Sequence, residues 1–220
     1  VSIQRNFAAV LFDMDGTLID STPVIELVWR RWAERHGVDV PLLMSKIHGR
    51  RGQEVIPEVA PHLDVQEEVR QLLAEEAVTL DGTTAIAGVQ AMLASLGGAR
   101  WSIVTSATHA LAAAKLGFVG LAIPEHVIGG DDVKNGKPHP EPYLMAAAHH
   151  GVDPADCLVF EDAISGIQSA KAAGMTVVAL ATSHPIEQLG DADLIIRDWH
   201  DIALKVSASG ITLEVLRAHG

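Results

Sequence analysis

Short, unbroken apolar blocks recur along the chain and alternate with segments of helical period. Residues 7–12 (FAAVLF) form the first block, and others follow at 101–104, 127–128, 158–160, 177–180 and 194–196. Blocks this short with no polar alternation fit strands covered on both faces. Between them, 108–116, 140–150 and 165–173 read as helices, with Gly117, Gly151 and Gly174 as their C-terminal stops. Strand–helix alternation with short links predicts an α/β fold, a Rossmann-like parallel sheet with helices on both faces.

One stretch departs from the alternation. Residues 19–85 hold almost nothing that reads as strand. Within them 24–36 is helical, with Ile25, Val28, Trp29 and Trp32 at i, i+3, i+4 and i+7. That spacing makes the two tryptophans core residues of the segment. Residues 66–77 form an acidic helix, and Pro41, Pro57 and Pro61 punctuate the remainder. The pattern predicts a core domain of residues 1–18 and 86–220, interrupted by a helical cap domain at 19–85. The polar, Gly-rich return segment 81–88 (DGTTAIAG) suits a hinge.

Composition narrows the function classes. The chain has 220 residues, 48% of them hydrophobic, enough for a real core. Its formal charge is −12 and no basic tract interrupts it, so nucleic acid and anionic membranes are not expected partners. No charge-free run reaches the roughly 20 apolar residues a bilayer requires, and the run 101–114 contains Ser, Thr and His besides. Residues 7–12 run into Asp13, too short and too soon acidic for a secretory leader. With one cysteine, Cys157, an internal disulfide is impossible, and a position before a buried strand predicts an inert thiol. A soluble, cytoplasmic and monomeric protein is expected.

Four polar motifs follow the apolar blocks. Asp13-Met14-Asp15-Gly16-Thr17 comes straight after the first. Carboxylates two apart on extended chain point the same way, and open α/β sheets bind ligands at the carboxyl ends of their strands. So close a pair repels unless a cation or shared proton compensates. Thr105-Ser106 follows the second block and offers a hydroxyl and backbone N–H groups to a phosphate, though helix capping uses the same residues. Lys137 sits in a loop stiffened by Pro138 and Pro140. That loop is no P-loop, because Asp131 and Pro138 stand where Gly and Ser/Thr are needed. Glu161-Asp162 ends the 158–160 block, and adjacent carboxylates there suit Mg²⁺. Gly166 then lets a helix pack close. Each motif is weak alone. Together they comprise a carboxylate nucleophile, a second acid/base, a hydroxyl, a cation and a divalent-metal site, the inventory of phosphoryl transfer.

The order of these motifs resembles the haloacid-dehalogenase superfamily over essentially the whole chain, and the helical insertion resembles that superfamily's cap. Residues 133–144 (VKNGKPHPEPYL) and 159–174 (VFEDAISGIQSAKAAG) are similar to the sugar- and polyol-phosphate phosphatases, among them glycerol-phosphate and 2-deoxyglucose-6-phosphate phosphatases, with β-phosphoglucomutases as close relatives. The resemblance implies Asp13 as nucleophile and metal ligand. It implies Asp15 as general acid/base, with its carbonyl on Mg²⁺, and Asp162 as a further ligand with Glu161 nearby. It assigns Thr105, Ser106 and Lys137 to the phosphoryl group. His48, Arg50 and Arg51 in the cap are candidates for the distal part of a small phosphorylated sugar or polyol.

Two alternatives remain at this stage. A β-phosphoglucomutase-like enzyme returns the phosphoryl group to a sugar instead of water. A non-enzymatic receiver domain also combines an acceptor Asp, an acidic pair, Thr/Ser and Lys. Its acidic pair precedes the acceptor, however, and it needs only about half this length.

Overall fold

The apolar blocks fold as neighbouring strands. The computed structural model describes residues 5–217. Strands β1 (Asn6–Phe7), β2 (Ala9–Phe12) and β3 (Ile19–Asp20) precede helices α1 (Thr22–His36), α2 (Val40–Ile47), α3 (Gly52–Val59) and α4 (Val65–Val78). Then come β4 (Thr84–Ala85), α5 (Val89–Ser95), β5 (Trp101–Val104), α6 (His109–Val119), β6 (Val127–Ile128) and α7 (Glu141–His150). The chain continues through β7 (Cys157–Glu161), α8 (Ile164–Ala172), β8 (Thr176–Leu180), β9 (Leu194–Ile196), β10 (Ile202–Ser207) and β11 (Gly210–Val215).

Six strands make a parallel sheet in the order β6-β5-β2-β7-β8-β9. The first core strand, β2, is central. From it the chain moves to one side (β5, β6), then crosses to the other (β7, β8, β9). A doubly wound sheet opens a crevice at such a switch point, beyond the carboxyl ends of its strands. Register brings Phe12 beside Ile103 on one flank and Phe160 on the other. The residues that follow these three therefore emerge side by side.

Strand periodicity divides the core. Val10, Phe12, Ile103, Leu158 and Phe160 face α5, α6 and the β10–β11 hairpin, where Phe12 stacks on Phe160 at 5.4 Å. Ala9, Leu11, Val104, Val159 and Val177 face α7 and α8. Full burial of each large side chain contributes about 1.5–3 kcal/mol. Cys157 is fully buried as the first residue of β7.

Residues 22–78 form α1–α4 with an apolar cluster of their own, in which Trp29, Trp32, Leu43, Ile56 and Leu72 are buried. The chain leaves and returns at one place, because β3 and β4 pair antiparallel with Ile19 opposite Ala85. This short ladder stands where the sequence suggests a hinge.

Three details differ from the sequence reading. The block at 7–12 splits at Ala8, whose N–H bonds to the Asp156 carbonyl, and Phe7 pairs with Ile211 in a separate antiparallel sheet. Helix α6 runs through Gly117 to Val119 and stops at Gly120, which takes φ +71°. The β10–β11 hairpin is an element that apolar blocks and motifs did not reveal. Among the described residues, no helix is long and apolar enough to cross a membrane.

Candidate active site

The loop after β2 turns sharply because Gly16 takes φ +86°, a region costly for residues with a Cβ. Gly16 is needed for space as well. A Cβ there would stand 2.0 Å from an Asp162 carboxylate oxygen. The loop is braced by Trp199, whose indole N–H donates to the Thr17 carbonyl at 3.0 Å.

Asp13 leaves this loop beside Lys137. The Lys137 ammonium is 1% exposed and donates to Asp13 Oδ1 at 2.6 Å, to Glu161 Oε1 at 2.7 Å and to the Val104 carbonyl at 2.9 Å. All three of its N–H groups are thereby used. Lys137 thus holds its positive charge directly against Asp13. Against the downward pull of burial, Asp13 and Glu161 hold the Lys137 pKa above the usual lysine value. Its loop is fixed by Glu141, in the first turn of α7, which accepts from Lys134 N at 2.7 Å and Asn135 N at 3.1 Å.

Glu161 is a clamp. Its Oε1 accepts from Lys137 and from Tyr143 Oη at 2.8 Å, and its Oε2 from the N–H groups of Asp162 and Ala163. A Cβ at Gly166 would overlap this carboxylate. Four donors occupy the lone pairs that the sequence reading offered to a metal, so Glu161 orients Lys137 and Asp162 in this arrangement.

Asp13, Glu161 and Asp162 are all buried, with one oxygen from each within 4.8 Å of the others. Burial pushes the Asp13 carboxyl up to about 7 against the pull of Lys137, and Glu161 and Asp15 add repulsion. Asp162 is likewise raised, by burial first and then by Asp13 and Glu161. Crowded carboxylates whose charged forms are disfavoured, with hard oxygen donors, make a donor set that fits Mg²⁺. Asp13 and Asp162 are the side chains placed to hold it.

Asp15, two residues on, lines the same cavity as Asp13. Its Oδ1 accepts from Lys115 Nζ at 2.7 Å and from Ser21 Oγ. Thr105 stands at the end of β5, where its hydroxyl oxygen accepts from Ala107 N at 3.1 Å. The Ser106 hydroxyl bonds to the Gly49 carbonyl at 2.9 Å, linking this edge to the helical segment. Among the described residues no acceptor takes the Ser106 backbone N–H. Asp13, Asp15, Thr105, Ser106 and Asp162 all line one cavity of about 90 Å³ between the sheet edge and α1–α4.

The three candidates at 48–51 all line the cavity but differ in how their side chains are held. Arg50 is held by Glu58 at 2.6 Å, and the His48 ring packs 5.7 Å from His184. Burial lowers the His48 pKa. Arg51 is 6% exposed and all five of its N–H groups are used, on Glu54 and on the carbonyls of Gly130, Val133 and Lys134. The sequence reading aimed Arg51 at the substrate. The structure makes it a strut that ties α3 to the loop after β6, because a buried guanidinium must satisfy every donor. Tyr143, Lys115 and Glu76 were missed. They lie inside helices, and no spacing or punctuation in the sequence marks them.

A family model for haloacid dehalogenase-like hydrolases matches residues 7–174, the span holding every motif above. The chain belongs to that family. It is 35% identical over 205 residues to hexitol phosphatase A of Escherichia coli, with 91% of this chain and 95% of that protein covered. It is 32% identical over 211 residues to glycerol-1-phosphate phosphohydrolase 2 of Saccharomyces cerevisiae, covering 88% and 83%. Among solved structures, β-phosphoglucomutase of Clostridium difficile superposes with a TM-score of 0.77 over 87% of this chain and 91% of that one. At 22% identity that likeness shows the fold. The family member described here accordingly has the parallel α/β core expected from its sequence.

Proposed function

We propose that this hydrolase is a Mg²⁺-dependent phosphatase of small sugar or polyol phosphate monoesters, working through an aspartyl-phosphate on Asp13. The observation that carries the reading is the meeting of Asp13, Lys137 and Asp162 at one sheet edge, 2.6 Å separating Asp13 from the ammonium, beside a cavity that also contains Asp15. The curated relatives at 35% and 32% identity bear the names of a hexitol phosphatase and a glycerol-phosphate phosphohydrolase, which favours hydrolysis over the mutase outcome.

Asp13 Oδ attacks phosphorus in line, and the bond from phosphorus to the alcohol oxygen breaks. Asp15 gives that oxygen its proton. Water then attacks the phosphorus of the acyl-phosphate, Asp15 takes a proton back, and inorganic phosphate leaves Asp13 free. Two displacements replace one hard step. Lys137 keeps Asp13 ionised and aimed, and the Ser106 N–H and Thr105 hydroxyl receive the equatorial oxygens. The carbonyl of Asp15 would hold the cation together with Asp13 and Asp162. A bound Mg²⁺ supplies positive charge against the carboxylates and the phosphoryl oxygens. Residues 19–85 act as the cap that covers the reaction and selects substrate. The enzyme is a monomer of the cytoplasm, where a lone buried thiol is at home.

Phosphate release across sugar, polyol and nucleoside monophosphates, with Mg²⁺ and with EDTA, tests this reading. Release confined to small sugar and polyol esters and abolished by EDTA is expected. Stoichiometric labelling of Asp13 without turnover would instead make the chain a phospho-acceptor.

A further inference from the structure

Lys115 sits within α6, in a run of small and apolar residues (HALAAAKLGFV) that gives no hint of chemistry. Its side chain is 1% exposed. A buried ammonium is tolerated only when paired. Lys115 is paired twice, with Asp15 Oδ1 at 2.7 Å and with Glu76 Oε1 at 2.6 Å. One partner comes from the loop after β2 and the other from near the C-terminal end of α4. The two carboxylates hold the Lys115 pKa above the usual lysine value, although burial pulls it down.

Both members of the Lys115–Glu76 pair line the cavity that Asp13 faces. Much of the wall near them is apolar, formed by Ile25, Trp29, Ile47, Leu72 and Leu111. In an apolar wall, a few placed polar groups fix how a ligand lies. An ammonium has three N–H groups, and the two carboxylates take two of them. Glu76 Oε2 has no protein donor among the described residues. A spare donor beside a spare acceptor matches a hydroxyl, which both donates and accepts. The pair also adjoins Asp15, on the side where the alcohol departs.

We infer that Glu76 and Lys115 together bind a hydroxyl on the alcohol portion of the substrate and set the preference for polyhydroxylated phosphate esters. The inference rests on the phosphatase reading above and adds a specificity site outside its motifs. Arg51 is committed to protein acceptors and Arg50 to Glu58, and this pair is a polar contact that the cap and core jointly offer the alcohol.

The test compares kcat/KM for glycerol 1-phosphate with that for propyl phosphate, which lacks the hydroxyls. Glu76→Met lowers this ratio about tenfold or more, and Glu76→Gln, which keeps an acceptor, stays within about threefold of the wild-type ratio. Melting temperatures confirm that each variant is folded. If Glu76→Met alone does not fold, Glu76→Met combined with Lys115→Met removes both buried charges, and the same ratio is read. A folded Met variant whose ratio stays within about twofold of wild type overturns the inference and leaves the phosphatase reading standing. Where glycerol 1-phosphate is not turned over, the same ratio is read with a hexitol phosphate, and a wild-type protein that releases phosphate from no sugar or polyol ester contradicts both.

Discussion

Asp13 is held between opposing forces. Burial and neighbouring carboxylates disfavour its charge, and the Lys137 ammonium at 2.6 Å favours it. A nucleophile must be the charged form, so its partner is part of its chemistry. Asp13→Asn is expected to abolish phosphate release. Asp15→Asn, which leaves the nucleophile in place, lowers kcat by about 10²–10⁴-fold. Steady-state kinetics on the two variants separate the roles. Cys157 tests burial by itself. Burial first, then Asp156 and Asp153, push its thiol up to about 12. A pKa raised on folding means that the unfolded chain loses this proton first, so stability falls as pH rises from about 9 toward 12. Iodoacetamide at pH 8 should leave Cys157 unmodified in the native protein and label it in denaturant. Rapid labelling of native protein would contradict the buried placement. At this scale the motif residues were legible because each follows an apolar strand block or sits in a loop, with Gly16, Pro138 and Gly166 marking three of the four. Lys115, Glu76 and Tyr143 were not, because a helix interior gives a polar side chain no local signature, and their partners lie far away in sequence.

The element scale shows how glycine makes room for charge. A Cβ at Gly166 would come within 1.7 Å of Glu161 Oε1. Gly166→Ala therefore displaces the clamp on Lys137, and destabilisation of about 2–4 kcal/mol is expected from a disrupted buried network. Urea midpoints measure it, and a change below about 0.5 kcal/mol would show that the helix simply shifts aside. The strands 101–104, 127–128 and 194–196 were read to the residue, since continuous apolar runs between turn signals have sharp edges. Helices α2 and α3 were not resolved in the sequence. Each is eight residues long, too short for a clear apolar stripe, and each contains a proline. Gly117 misled the reading of α6 because a glycine inside a helix looks the same in sequence as one at its end.

Across the whole molecule, the sheet order places β5, β2 and β7 side by side and so gathers motifs that lie far apart in sequence. The alternation of strand and helix made that architecture legible. The C-terminal hairpin was not, because β10 and β11 alternate apolar and polar residues instead of forming an unbroken block, and the pairing of β11 with β1 is long-range. The gathered carboxylates predict a ligand-linked stability. Mg²⁺ that binds the folded chain alone stabilises it by about 2.7 kcal/mol at a hundredfold excess over Kd. Thermal unfolding should shift upward with Mg²⁺ relative to EDTA. The shift should be larger at pH 7.5 than at pH 5, where protons compete for the ligands. An equal melting temperature with and without Mg²⁺ at pH 7.5 would count against the metal site. The central claim concerns one covalent bond, and rapid acid quench of a single turnover with phosphorus-labelled glycerol phosphate tests it most directly. The account predicts label on the peptide containing Asp13, appearing before free phosphate and decaying as phosphate accumulates. Turnover with no label on protein at any quench time, or label on another residue, would contradict it.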